Sequence, residues 1–124
     1  MLGFELTQSQ KKELINELLI KIDSLDYHII KDRSDPKNKI FMMNFKIDDE
    51  IDAKPILNKI SVDNFLSYEF DYDTLKYGPE KVAKFIVECK LVDFNGIEQN
   101  VEVYVKIKNK EHNMPVISFH INED

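Results

Sequence analysis

Residues 82–121, VAKFIVECKLVDFNGIEQNVEVYVKIKNKEHNMPVISFHI, decide the fold, because apolar residues recur through most of them with a period of two. Successive side chains of an extended strand point to opposite faces, so this period marks a sheet with one buried side. Phe85, Val87, Cys89 and Leu91 alternate against Lys84, Ile86, Glu88 and Lys90 up to Asn95-Gly96, a two-residue signal for a hairpin turn. The return strand, from about Val101, sets Val101, Val103, Val105 and Ile107 on one face and Glu102, Tyr104, Lys106 and Lys108 on the other. After a turn at Asn113 and Met114, with Pro115 at the strand entrance, a third strand sends Ile117, Phe119 and Ile121 to the core and Val116, Ser118 and His120 to the opposite face. The expected sheet is an antiparallel meander of 82–94, 101–108 and 116–121, with one face in the core and the other wet.

Upstream the period changes. Thr7 can cap a helix with Gln10 reaching back to it, and Leu14, Ile15, Leu18, Leu19, Ile22 and Leu25 then recur at helical spacing. A helix over 8–25 packed on the apolar side of the sheet is expected. The segment KDRSDPKNK at 31–39 reads as a polar loop in which Pro36 forbids regular pairing. It joins the YHII run at 27–30 to IFMMNFKI at 40–47, whose pattern fits strand and helix equally. Asp48 or Asp49 can cap a second helix carrying Ile51, Ile56, Leu57 and Ile60, with Pro55 in its first turns or at its break. Ser61 and Asn64 mark a further helical turn ending near Phe65, and SYEFDYDTLKYGPE at 67–80 reads as a long surface loop closed by Gly-Pro. Helices first and strands after is the α+β pattern: N-terminal helices packed on a C-terminal antiparallel sheet.

The 124 residues suit a single domain spanning 1–124, and 43% hydrophobic with 32% charged residues excludes wholesale disorder. The 17 Lys+Arg against 23 Asp+Glu leave a net charge of −6, so the field of the whole molecule repels nucleic acid and anionic membranes. Any RNA-binding reading therefore requires a local basic patch. No apolar run approaches the roughly 18 residues of a membrane span, and MLGFELTQSQ lacks the basic-then-apolar pattern of a signal peptide, so a cytoplasmic protein without a membrane partner is expected. Cys89 is the single cysteine, no Cys/His spacing suggests zinc, and the three glycines at 3, 78 and 96 form no phosphate loop. Neither a metal nor a cofactor is expected.

An antiparallel meander superposes the polar sides of its strands and brings Tyr104, Lys106, Ser118 and His120 together. Phosphodiester cleavage without a metal requires a base for the attacking hydroxyl, a cation for charge on the phosphoryl oxygens and an acid for the leaving oxygen. Histidine, lysine and tyrosine supply those roles. The plainer reading makes Lys106 and Lys108 solvated strand residues, Tyr104 a packing aromatic and His120 a surface histidine.

From about Ile47 onward the chain resembles the MqsR-type mRNA interferase toxins of the RelE-like group of toxin–antitoxin ribonucleases. The resemblance rests on the order and spacing of IDDEIDAKPILNKI, SVDNF, the acidic FDYD, VEVYVKIK and VISFH, the last two being the most specific pieces. It implies a RelE-like fold, endoribonuclease activity on mRNA and an antitoxin protein as partner. The family's strand tyrosine falls on Tyr104, its neighbouring lysine on Lys106 and its basic residue in the last strand on His120. Arg33, Lys37 and Asn38 match a basic segment near the family's N-terminal helix, and Lys84 and Lys108 add to the RNA-binding residues that the resemblance implies. Where the family tends to carry a lysine after the acidic-aromatic turn this chain has Ser67, for which Lys84 is the available substitute. A further departure is charge: residues 48–80 hold nine acidic and three basic residues, a balance of 3 − 9 = −6. Two other readings follow from that. One is a non-catalytic acidic inhibitor of phage or plasmid origin that presents the FDYD surface to another protein. The other is a metal hydrolase using Asp71, Asp73 and His120, whose ligands come from separate segments without ligand spacing.

Overall fold

The computed structural model describes residues 5–32, 34–70 and 81–123. Helix α1 (Gln8–Asp23) starts at the expected cap: the Gln10 backbone N–H donates to Thr7 Oγ1 at 3.1 Å, and the Thr7 N–H donates to Gln10 Oε1 at 2.9 Å. Leu14, Ile15, Leu18 and Ile22 face inward. The helix stops short of the expected end because Leu25 turns left-handed at φ 59° and lies exposed. Strand β1 (Tyr27–Ile29) and helix α2 (Lys37–Asn44) follow, then α3 (Glu50–Leu57). Asp49 caps α3 by accepting from the backbone N–H groups of Ile51 and Asp52, and Pro55 is accommodated inside its second turn. A 3₁₀ turn (Val62–Asn64), its entry fixed by the Ser61 N–H donating to Asn64 Oδ1, leads into β2 (Phe65–Phe70). Strands β3 (Lys81–Val92), β4 (Glu98–Lys108) and β5 (Met114–Ile121) complete the chain.

The fold is α+β: among the described residues, three helices lie in the N-terminal half and five strands form one sheet of order β1-β5-β4-β3-β2. The sheet is mixed rather than purely antiparallel, because β1 runs parallel to β5 with Tyr27 opposite Met114 and Ile29 opposite Val116. The three long strands pair antiparallel in the expected order, flanked by two strands the alternation did not announce. One of these is β2: Ser67–Phe70, read as loop, pair with β3. The rest of that expected loop, 71–80, lies outside the described residues. The ambiguous IFMMNFKI run is helical through Asn44, and the last three residues of KDRSDPKNK begin α2 immediately after Pro36, where a proline's fixed φ is tolerated.

Two further corrections concern the strands. The β3–β4 hairpin is not a two-residue turn: the Asp93 N–H donates to the Ile97 carbonyl at 2.9 Å and the Gly96 N–H to the Asp93 carbonyl at 2.9 Å, closing a three-residue loop. Gly96 adopts φ 83°, the left-handed position such loops require. In β5, Lys106 pairs with Ser118 but Ile107 pairs with Val116, so a bulge at Ile117 inserts one residue and reverses the parity of everything before it. Val116 therefore joins the main core, and Ile117 crosses to the reverse face to pack with Ile30 and Val82.

The main core lies between the helices and one sheet face. Leu18 and Ile22 of α1, Ala53 and Leu57 of α3, and Phe85, Val87, Val103, Val105 and Phe119 of the sheet are all fully buried, each large side chain contributing about 1.5–3 kcal/mol. Phe41 of α2 meets Phe119 edge-to-face at 5.2 Å between centroids. The opposite face departs from the expected wet surface: Lys106 is 6% exposed and Lys108 0% exposed.

Candidate active site on the polar face of the sheet

Strand register brings the chemically capable residues together. Tyr104 on β4 sits directly opposite His120 on β5, and Lys106 directly opposite Ser118. On the other side of β4, Lys106 is opposite Lys84 of β3, which is in turn opposite Ser67 of β2. Because alternate residues share a face, Ser67, Glu69, Lys84, Tyr104, Lys106, Ser118 and His120 occupy one surface spanning four strands. The same alternation buries Val103 and Val105 beneath them.

The Tyr104 and His120 rings lie 5.6 Å apart between centroids and are tilted by 51°. His120 Nδ1 is 2.9 Å from the Ile121 carbonyl oxygen. A carbonyl only accepts, so Nδ1 carries a proton and Nε2 is the nitrogen left for proton transfer. Beside them, two lysines placed directly opposite repel one another. The carboxylate of Glu69 offsets this: Lys84 Nζ donates to its Oε1 at 2.5 Å, and Ser67 Oγ donates to its Oε2 at 2.8 Å. The hydrogen bond from Lys84 is the main reason the Glu69 carboxyl is held below the usual glutamate range, with Ser67 and the charge of Lys106 acting in the same direction. Burial alone would depress the Lys84 ammonium, but hydrogen bonds and charge from Glu69 and Tyr104 outweigh it and hold the group above its ordinary value.

The edge of β5 at this site is closed by a side chain. β1 ends at Ile29, and beyond it Asn38 of α2 continues the ladder: its Nδ2 donates to the carbonyls of Ile30 and Ile117, and its Oδ1 accepts from the Phe119 N–H. The strand carrying Ser118 and His120 is thus fixed by helix α2. From the same helix Lys37 pairs with Glu123 at 2.7 Å and lines, with Ile40, Phe41, Asn44, His120 and Ile121, a cleft of about 280 Å³.

Of the expected site residues, Tyr104, Lys106, His120 and Lys84 are brought together, and Lys37 stands at the His120 rim. Lys108 shares the face but is fully buried opposite Val82, so it presents no surface to solvent. Arg33, Asp71 and Asp73 lie outside the described residues. Glu69 was missed because SYEF was read as loop, although its own alternation, Ser67 and Glu69 against Tyr68 and Phe70, carried the signal. Among the described residues no three His, Cys, Asp or Glu side chains are grouped so that they could hold a metal ion. No described helix is long and apolar enough to cross a membrane. No protein-family model matches the chain, and neither a curated protein nor a solved structure matches it.

Proposed function

We propose that the protein is a small endoribonuclease of the toxin–antitoxin type, cleaving mRNA on the polar face of its sheet and held in check by a protein that covers this face. The observation that carries the reading is the cross-strand placement of Tyr104 against His120 with Lys106 against Ser118 in the next pair. That arrangement offers an aromatic surface for a nucleotide base, a proton carrier and a cation in adjacent positions, the parts that RNA cleavage through its own 2′-hydroxyl requires. His120 carries a proton between the ribose or leaving oxygen and solvent, Lys106 stabilises charge on the phosphoryl oxygens, and Tyr104 stacks on or orients the nucleotide. Lys84 and Lys37 flank this centre, each ion-paired, Lys84 with Glu69 and Lys37 with Glu123. The chain's resemblance to MqsR-type toxins in VEVYVKIK and VISFH supports the same reading.

The test is expression of the chain alone in a bacterial host. Growth arrest with shortened mRNA lifetimes is expected for the wild type and not for His120→Ala, since loss of a general acid or base costs about 10²- to 10⁴-fold in rate. Unimpaired growth with unchanged mRNA decay, at matched protein level, would refute the proposal.

A further inference from the structure

Helix α2 turns Asn38, Phe41 and Met42 inward, and the positions it leaves outward include Ile40 and Met43, neighbours at a spacing of three on the helix surface. They are 50% and 66% exposed, although a surface helix ordinarily gives that side to polar residues. Phe94, in the loop between β3 and β4, is 60% exposed and is held against the same helix, because its N–H donates to the Asn44 carbonyl at 2.8 Å. Ile121, 37% exposed at the end of β5, joins the two. With Asn44 it lines both the cleft of about 280 Å³ beside Ile40 and His120 and a second of about 570 Å³ beside Phe45 and Phe94. Four large apolar side chains thus form one outward patch.

We propose that this patch is the contact between two copies of the chain, related by a two-fold axis, with Phe94 of each copy seated in the smaller cleft of the other, beside Ile121. Nothing in this depends on the ribonuclease reading. Area is the first support. At about 200 Å² for a large side chain, the four exposed fractions amount to roughly 400 Å² on each copy. A standard interface takes about 800 Å² from each partner, so the patch supplies an apolar centre of about half that size and its polar rim supplies the rest.

Shape is the second support. A two-fold contact requires a surface that complements itself, and here the projecting side chains of Met43 and Phe94 stand beside a hollow. A cavity of about 150 Å³ already admits a benzene ring, so the cleft of about 280 Å³ has room for the ring of Phe94. Charge is the third. Lys37 on the rim is ion-paired with Glu123 at 2.7 Å, and Glu102 lines the second cleft, so both signs are present. A rim of mixed sign can face its own copy, whereas RNA or a strongly charged protein is matched by a surface of one sign. Because His120 lines the smaller cleft, a Phe94 ring seated there lies beside it and gives the contact a spectroscopic marker.

Sedimentation equilibrium of the purified chain from about 1 µM to about 200 µM tests this, since interfaces of standard size bind with micromolar affinity or tighter. The wild-type mass should rise to that of two chains and stop there. Phe94→Glu and Met43→Glu should each raise the dissociation constant at least 30-fold or so, as loss of an anchor at the centre of an interface does. Ile20→Glu, at an exposed side chain of α1, should leave it unchanged. Thermal melting shows that each variant is folded. On dilution of the wild type, the amide resonances of Ile40, Phe94 and Ile121 and the imidazole resonances of His120 should shift, while the Ile20 amide stays in place. A chain that remains monomeric over the whole range overturns the proposal and leaves the patch to a partner of another kind. So does a dimer that survives both substitutions, one that Ile20→Glu dissociates equally, or assembly beyond two copies, because a two-fold contact closes on itself.

Discussion

Replacing Asn38 should unfasten the strand that carries the proposed catalytic histidine. Its side chain is 4% exposed and makes three hydrogen bonds to backbone, to Ile30 O at 2.8 Å, to Ile117 O at 2.9 Å and from Phe119 N at 2.8 Å. Asn38→Leu keeps the volume but leaves two carbonyls and one N–H buried without these partners. Each such loss costs about 1–3 kcal/mol, and because relaxation and water recover part of it the total should be roughly 3–5 kcal/mol. Against a typical domain stability of about 5–15 kcal/mol this is a large fraction. With a urea dependence of about 1–3 kcal/mol per molar, the unfolding midpoint should fall by roughly 2 M. Lys37→Ala, one residue away and exposed, should stay within about 0.5 kcal/mol. Native-state hydrogen exchange adds a local check, since protection of the Phe119 amide should fall more than that of Val87 or Val103 in the middle of the sheet. A stability loss under about 1 kcal/mol, or uniform exchange across the strands, would refute the reasoning that Asn38 substitutes for a missing strand at this edge.

Three other outcomes follow from local geometry. Since Lys84 holds the folded-state Glu69 carboxyl below its unfolded value, the pair stabilises the fold above the unfolded glutamate range of about 4.3 and loses that contribution as pH falls through the folded value. The stability gap between wild type and Glu69→Gln, followed by urea unfolding, should therefore close on acidification from about pH 5 to pH 3, and a gap that widens contradicts the assignment. Burial pushes the Cys89 thiol above its ordinary value, outweighing the opposing charge of Lys59, so alkylation at neutral pH should be slower than that of a free small thiol. Labelling as fast as the free thiol would count against the packed position. Gly96→Ala should cost about 1 kcal/mol in urea unfolding, because the φ of 83° rather than any contact opposes a side chain there, and a neutral result would mean that the hairpin loop has another conformation.

What could be read from the residues was whatever is decided within a few positions of itself. The Thr7–Gln10 capping box, the Asp49 cap and the Ser61–Asn64 turn all close within four residues, and each appears where the spacing predicts it. The long strands β3 and β4 were legible for a related reason: a period of two sustained over many residues has one reading once a face is buried. The parity of β5 failed at Ile117 because a bulge depends on what lies beside the strand, here β1 as far as Ile29 and the side chain of Asn38 beyond it. β1 has three residues, too few to show a period. Lys106 and Lys108 were expected in water because charged side chains are almost never fully buried, a tendency that this face overrides. Tyr104, Lys106, Ser118 and His120 could be grouped from β4 and β5 alone. Glu69 was not grouped with them, because its place beside Lys84 depends on the short alternation of SYEF, which reads as loop when taken alone.

The most direct measurement of the central claim is end-group analysis of an RNA incubated with purified protein, beside a DNA copy of the same sequence. The account predicts cleavage of the RNA alone, with 2′,3′-cyclic phosphate and 5′-hydroxyl ends and with loss of cleavage in His120→Ala, because the nucleophile is the substrate's own 2′-hydroxyl and His120 protonates the leaving oxygen. Cleavage of the DNA copy at a comparable rate, 5′-phosphate ends, or unchanged cleavage by folded His120→Ala would contradict it.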